Sequence, residues 1–167
     1  MTILDVLTDD HAVQRMLLDD LDRNVGAPVT ERLRRFELLR LDMHCHGAAE
    51  QDILYPALVE RLPDGGILGR ALRGHGELQE KLAALDRGGV VGTAWRDGMR
   101  QLRESAERHM LEEEGDLFAP MEAAFGPREL EVMGRKFLVR KHEIRIDVQG
   151  DGGDTNCTAS LVDLTGS

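Results

Sequence analysis

From Leu4 to Leu117 apolar residues recur at spacings of three and four, the period of an α-helix, but histidine and glutamate repeatedly occupy places where a core would hold leucine. The first stripe reads Leu4, Leu7, His11, Gln14, Leu18, Leu21, Val25, and the second reads Phe36, Leu39, Met43, His46, Glu50, Ile53, Ala57. A third runs Leu68, Leu72, His75, Leu78 or Gln79, Leu82, Leu85, and a fourth Trp95, Met99, Leu102, Ala106, His109, Glu113, Leu117. Helices built on these stripes must pack so that their apolar positions are covered and their polar ones find partners.

Breaks at Gly26-Ala27-Pro28, Pro63-Asp64-Gly65-Gly66, Gly88-Gly89 with Gly92, and Gly126-Pro127 cut the chain into five predicted helices, about 2–24, 30–61, 68–87, 93–118 and 127–145. Thr30 and Thr93 stand where an N-cap hydroxyl is wanted. Long helices joined by short turns pack antiparallel, so the expected fold is all-α: an up-down-up-down four-helix bundle over residues 1–146, with the fifth helix against its outside. The stretch 147–167 carries four Asp, four Gly and neither Lys nor Arg. So little apolar surface predicts a flexible tail.

The 31 acidic against 21 basic residues give a formal charge of −10 over 167 residues. Such a surface repels nucleic acid and anionic membranes, and no apolar run reaches the length of a membrane span. Two cysteines, Cys45 and Cys157, make no disulfide framework, and the N-terminal residues lack a secretory pattern; a reducing cytoplasm is the expected location. No motif identifies a protein partner.

In an up-down-up-down bundle His11, His46, His75 and His109 lie at similar depth, so four imidazoles and the carboxylates of Glu50 and Glu113 can meet inside. Two buried carboxylates among neutral imidazoles would protonate or be expelled unless a cation lay between them. Six side-chain donors exceed one tetrahedral zinc, and two carboxylates able to bridge suggest two ions a few Å apart. Imidazole with carboxylate suits iron, with manganese or zinc as substitutes.

The two helices that carry both donor types echo each other. His46-Gly-Ala-Ala-Glu50-Gln-Asp-Ile-Leu-Tyr-Pro56 and His109-Met-Leu-Glu-Glu113-Glu-Gly-Asp-Leu-Phe-Ala-Pro120 each give His, three residues, Glu, apolar residues and a proline. Pro56 and Pro120 each remove an amide, so both helices are expected to bend or end just beyond these donors. His44, two residues before His46, falls on the opposite face, and His142 sits near a helix C-terminus; both are read as surface residues. Tyr55 and the methionines are read as packing.

With Asp5-Val-Leu-Thr-Asp-Asp-His11, His75, and the Leu-Tyr-Pro and Leu-Phe-Ala-Pro endings, residues 3–142 resemble the hemerythrin-like (HHE cation-binding) family. The resemblance implies a non-haem di-iron centre held by His11, His46, Glu50, His75, His109 and Glu113, with Glu114 as the alternative to Glu113. Oxygen-carrying members of the family have a further histidine four residues before the one on the third helix, where this chain has Ala71, with Gln79 as the other same-face neighbour. A position opened there would suit a small ligand such as dioxygen, peroxide or nitric oxide. The expected function is therefore small-ligand binding at two non-haem iron ions, with a peroxide-decomposing enzyme and an iron- or oxygen-sensing module as rivals.

Overall fold

A computed structural model describes residues 1–62 and 65–151, and within them the chain is helical throughout, with no strand. Helix α1 spans Ile3–Arg23, and α2 spans Val29–Ala49 and passes through a π-turn, π1 (Glu50–Leu54), into α3 (Tyr55–Arg61). The next pair is α4 (Gly65–Gly88) and α5 (Gly92–Glu112); α5 passes through π2 (Glu113–Leu117) into α6 (Phe118–Ala124), and α7 spans Pro127–Asp151. The four long rods α1, α2–π1–α3, α4 and α5–π2–α6 form the expected all-α bundle, and α7 lies across α1 and α2. None of the helices in the described residues is long and apolar enough to cross a membrane.

Local chemistry explains the ends. Thr2 Oγ1 accepts from the Asp5 amide at 3.2 Å while Asp5 Oδ2 accepts from the Thr2 amide at 2.8 Å, so two otherwise orphaned donors at the start of α1 are satisfied reciprocally. Thr30 and Thr93 are not caps. Pro28 and Val91 occupy those N-cap positions without a side-chain hydrogen bond, which places both threonines inside the first turn. Between α4 and α5 the backbone reverses through Gly89 at φ 68°, a left-handed conformation that costs glycine least.

The prolines act as expected in place but not in kind. At π1 the Tyr55 amide donates to the Glu50 carbonyl, five residues back, so the ladder widens by one residue just ahead of Pro56 and the helix then continues. The same accommodation at π2 carries the fourth rod past Pro120 to Ala124 rather than stopping near residue 118. Helix α7 likewise runs to Asp151, beyond the tail boundary expected at 147, because adding a residue to an existing helix costs far less than starting one. Residues 152–167 lie outside the described ones, as do Pro63 and Asp64.

The stripes set the core. Leu18, Leu21, Phe36, Leu39, Leu82, Trp95, Met99 and Leu102 fill one end of the bundle, and Ile3, Leu7, Leu54, Leu58, Leu117, Met121 and Phe137 fill the other. Two expected core positions turn outward: Leu72, replaced on the inner face of α4 by the smaller Ala71, and Val25, which follows the end of α1. Helix α7 carries its own stripe, Leu130, Met133, Phe137 and Ile144, and it approaches so closely that a Cβ on Gly134 would lie 2.9 Å from the Thr2 carbonyl carbon.

Gly134→Ala should therefore destabilise the fold by about 1–3 kcal/mol, because α7 must lift from a rigid backbone. Gly76→Ala, with nothing within 4 Å of the added carbon, should be neutral or stabilise by about 0.5–1 kcal/mol through helix propensity. Equal melting temperatures for the two variants would refute the close approach.

Candidate metal centre

Between the two apolar clusters the stripes deliver their polar residues to one place. His11, His46, Glu50, His75, His109 and Glu113 are all buried, none more than 5% exposed, and they come from all four rods. They form two sets that share both carboxylates: His11, His46, Glu50 and Glu113, and Glu50, His75, His109 and Glu113. Within each set one donor atom per residue lies within 4.8 Å of every other.

The oxygens divide evenly. Glu50 Oε1 lies 3.4 Å from His46 Nε2, and its Oε2 lies 2.8 Å from His75 Nε2. Glu113 Oε2 lies 3.3 Å from His11 Nε2, and its Oε1 lies 3.4 Å from His109 Nε2. None of the four carboxylate oxygens completes a hydrogen bond within the described residues, even at 2.8 Å, and neither does His11 Nε2 or His109 Nε2. Short separations without hydrogen-bond alignment arise when neighbouring lone pairs point at a common third position. Donors about 2.1 Å from one ion and at right angles to each other stand about 3 Å apart, the spacing found here. The donor set therefore fits cations, and its geometry offers one position on each side of the two carboxylates.

Charge gives the same reading. Burial would push the Glu50 carboxyl up, but His46 and His75 beside it hold it well below its ordinary pKa. Burial opposes charge on His46, yet Glu50 and Asp10 lift it to about 10. In the cation-free chain a proton on His46 thus compensates Glu50, in the place a metal ion would take. Burial pushes His109 down, so its imidazole is neutral at pH 7, as a ligand must be.

A second layer orients the imidazoles. His11 Nδ1 donates to Glu114 Oε1 at 2.8 Å, and Arg15 Nη1 donates to the same oxygen at 3.1 Å. His46 Nδ1 donates to Asp10 Oδ2 at 3.0 Å; Lys141 Nζ, reaching in from α7, donates to that oxygen at 2.7 Å and pairs with the buried Asp42 at 3.1 Å. Phe137, one turn before Lys141, sets its ring edge-on against His46 at 5.7 Å between centroids. On the other side Tyr55 Oη lies 3.2 Å from His75 Nδ1, and burial with the charges of Glu50 and Glu113 pushes its phenol well above its ordinary pKa. His109 Nδ1 finds no partner among the described residues and rests where a Cβ on Gly74 would come within 2.6 Å of it.

Glu113, not Glu114, shares the interior with Glu50; Glu114 supports His11 from a partly exposed position. His44 and His142 face outward as read from the sequence. Glu114 enters the sequence reading only as the alternative to Glu113, and Asp10 and Lys141 are not among the expected site residues, although Lys141 interrupts the Phe137–Ile144 stripe just as the histidines interrupt theirs. Tyr55, read as packing, reaches the site because the π-turn adds one residue between it and Glu50. The space beside Ala71, lined also by His109 and Glu113, amounts to only about 10 Å³, at most one water. A larger cleft of about 220 Å³ reaches His46, His75 and His109 past Met43, Leu78 and Leu82, and the exposed His44, Gln79 and Asp86 also line it.

A comparison with curated proteins finds no match. A crystal structure of a hemerythrin HHE cation-binding domain-containing protein from Mycobacterium kansasii superposes with a TM-score of 0.81 at 24% identity, covering 96% of this chain and 98% of that one. That likeness shows the shared helical fold. The Hemerythrin HHE cation binding domain family matches residues 2–122. This match spans well over half of the sequence, and the chain therefore belongs to the hemerythrin HHE cation-binding domain family.

Proposed function

We propose that this domain is a non-haem di-iron protein that binds dioxygen or a related small ligand, peroxide or nitric oxide, at its buried centre. One observation carries the reading: Glu50 and Glu113 each turn one oxygen toward one pair of imidazoles and the other oxygen toward the second pair, with no hydrogen bond completed to either among the described residues. In this reading His11 and His46 would hold one iron and His75 and His109 the other, with Glu50 and Glu113 common to both sets. Imidazole with carboxylate suits iron, and manganese or zinc fits the same donors. When bound, the iron pair supplies electrons and open coordination positions for a diatomic or peroxidic ligand.

The chain supplies the rest. Asp10 and Glu114 fix which nitrogen of His46 and His11 carries the proton, so Nε2 presents its lone pair inward. Tyr55 holds a neutral hydroxyl beside His75. Met43, Leu78 and Leu82 supply apolar walls to a cleft that polar side chains also line. The buried, unpaired Cys45 is consistent with a reducing cytoplasm, where we place the protein.

The size of the cleft favours a second reading, in which ligand exchange supports turnover of hydrogen peroxide to water and dioxygen. Oxygen release from peroxide that disappears in His46→Ala would establish it, and saturable binding without turnover would remove it. No contact within the described residues points specifically to the sensing module.

Protein loaded with ferrous iron and freed of excess should contain two irons per chain by elemental analysis, and Glu50→Ala should lower its affinity by about tenfold or more. Equal iron in parent and variant would remove Glu50 as a ligand. Protons and cations compete for His46, whose pKa in the cation-free chain is raised to about 10. Metal uptake near pH 7 should therefore release protons, and apparent affinity should climb as pH rises from 6 to 8. A pH-independent affinity would show that His46 is not displaced from its proton by the metal.

A further inference from the structure

The two cation positions share their carboxylates equally but not their surroundings. On one side both imidazoles are backed by carboxylates, His11 by Glu114 at 2.8 Å and His46 by Asp10 at 3.0 Å. Each carboxylate is in turn gripped by a cation, Arg15 or Lys141. Such backing fixes the tautomer, stiffens the ring and makes the inward nitrogen a better donor. On the other side, among the described residues, His75 has a neutral phenol as its partner and His109 Nδ1 has none.

Access is unequal too. Among the described residues the larger cleft reaches both His75 and His109 but only His46 of the other pair, the smaller space reaches His109, and His11 lines neither. Gly47 and Gly74 leave the rings of His75 and His109 lying directly against helix backbone.

We infer that the two positions differ in affinity. The His11/His46 position fills first and keeps its iron, whereas the His75/His109 position is the exchangeable one, losing and regaining its ion through the cleft. The difference is set by the Asp10–Lys141 and Glu114–Arg15 pairs, which makes those four residues positioning residues. Through Lys141 the outer helix α7 then governs how firmly the first iron is held. This inference rests on the two-cation reading above and adds an order of filling to it.

The test is an anaerobic titration of ferrous iron into the cation-free full chain, with bound iron measured by equilibrium dialysis and helicity checked for every variant. The parent should bind in two resolved steps separated by about tenfold or more in affinity. Asp10→Ala or Glu114→Gln should weaken the first step by about tenfold or more and the second much less. His109→Ala should abolish the second step alone, and Gly74→Ala, which crowds His109, should weaken that step. If Asp10→Ala does not fold, Lys141→Met removes the same support from α7 and should weaken the first step.

Two ions entering in one unresolved step, or a tight ion that survives His11→Ala but not His109→Ala, would overturn the inference. Saturation of the parent at one iron per chain would instead overturn the two-cation reading on which it stands.

Discussion

Two carboxylates at the centre of an otherwise apolar bundle are the constraint to which the remaining structure answers. An isolated ionised carboxylate in such surroundings costs several kcal/mol, so Glu50 and Glu113 persist only where positive charge is supplied. A proton on His46 offsets part of that charge, and still four carboxylate oxygens are left without a completed hydrogen bond among the described residues. A fold that holds so many unsatisfied acceptors together, while filling the space above and below with leucine, methionine and phenylalanine, is organised around something that bonds to all of them at once.

Secondary structure bends to meet the same demand. A regular α-helix would separate the inward directions of Glu50 and Tyr55, and of Glu113 and the residues that follow it. The π-turns that begin at those two glutamates add a residue at that point, and Pro56 and Pro120 lie just downstream, where a missing amide disturbs a regular ladder. The repeated His-x-x-x-Glu pattern followed by proline is therefore one device used twice: donor, donor, widened turn, renewed helix. Its two copies face each other across the bundle, which is why the oxygens divide evenly between the imidazole pairs.

The sequence made the inner layer of this centre legible because each of its members breaks a periodic rule. A histidine in a leucine stripe is visible without coordinates, and so is a glutamate four residues beyond it. Boundaries were legible to within a turn where glycine or proline marked them. The capping threonines were misread because Pro28 and Val91 took the N-cap positions without any side-chain bond, and the ends of α6 and α7 were misread because helix propagation past a proline or a polar stretch costs less than composition suggests. The outer layer was hidden for another reason. Asp10 is an acidic residue on a partly exposed face of an acidic chain, nothing in one-dimensional spacing distinguishes the carboxylate that meets His46 from its neighbours, and Glu114 is visible only as the alternative to Glu113.

Lys141 is the instructive case. It sits four residues after Phe137 and three before Ile144, inside an apolar stripe, and its ammonium lies between Asp10 and Asp42. Read alone it would be a buried ion pair, which contributes little to stability and is often replaceable by apolar residues. Its position gives it another use. Asp10 is the hydrogen-bond acceptor for His46, so the charge on Lys141 keeps that carboxylate ionised and oriented, and the imidazole inherits both properties. Phe137 closes the same path by packing its edge on the ring. The helix that looks like an accessory to the four-helix bundle thus reaches the centre through two side chains one turn apart, one apolar and one charged, and the inward lone pair of His46 depends on an element outside the bundle proper.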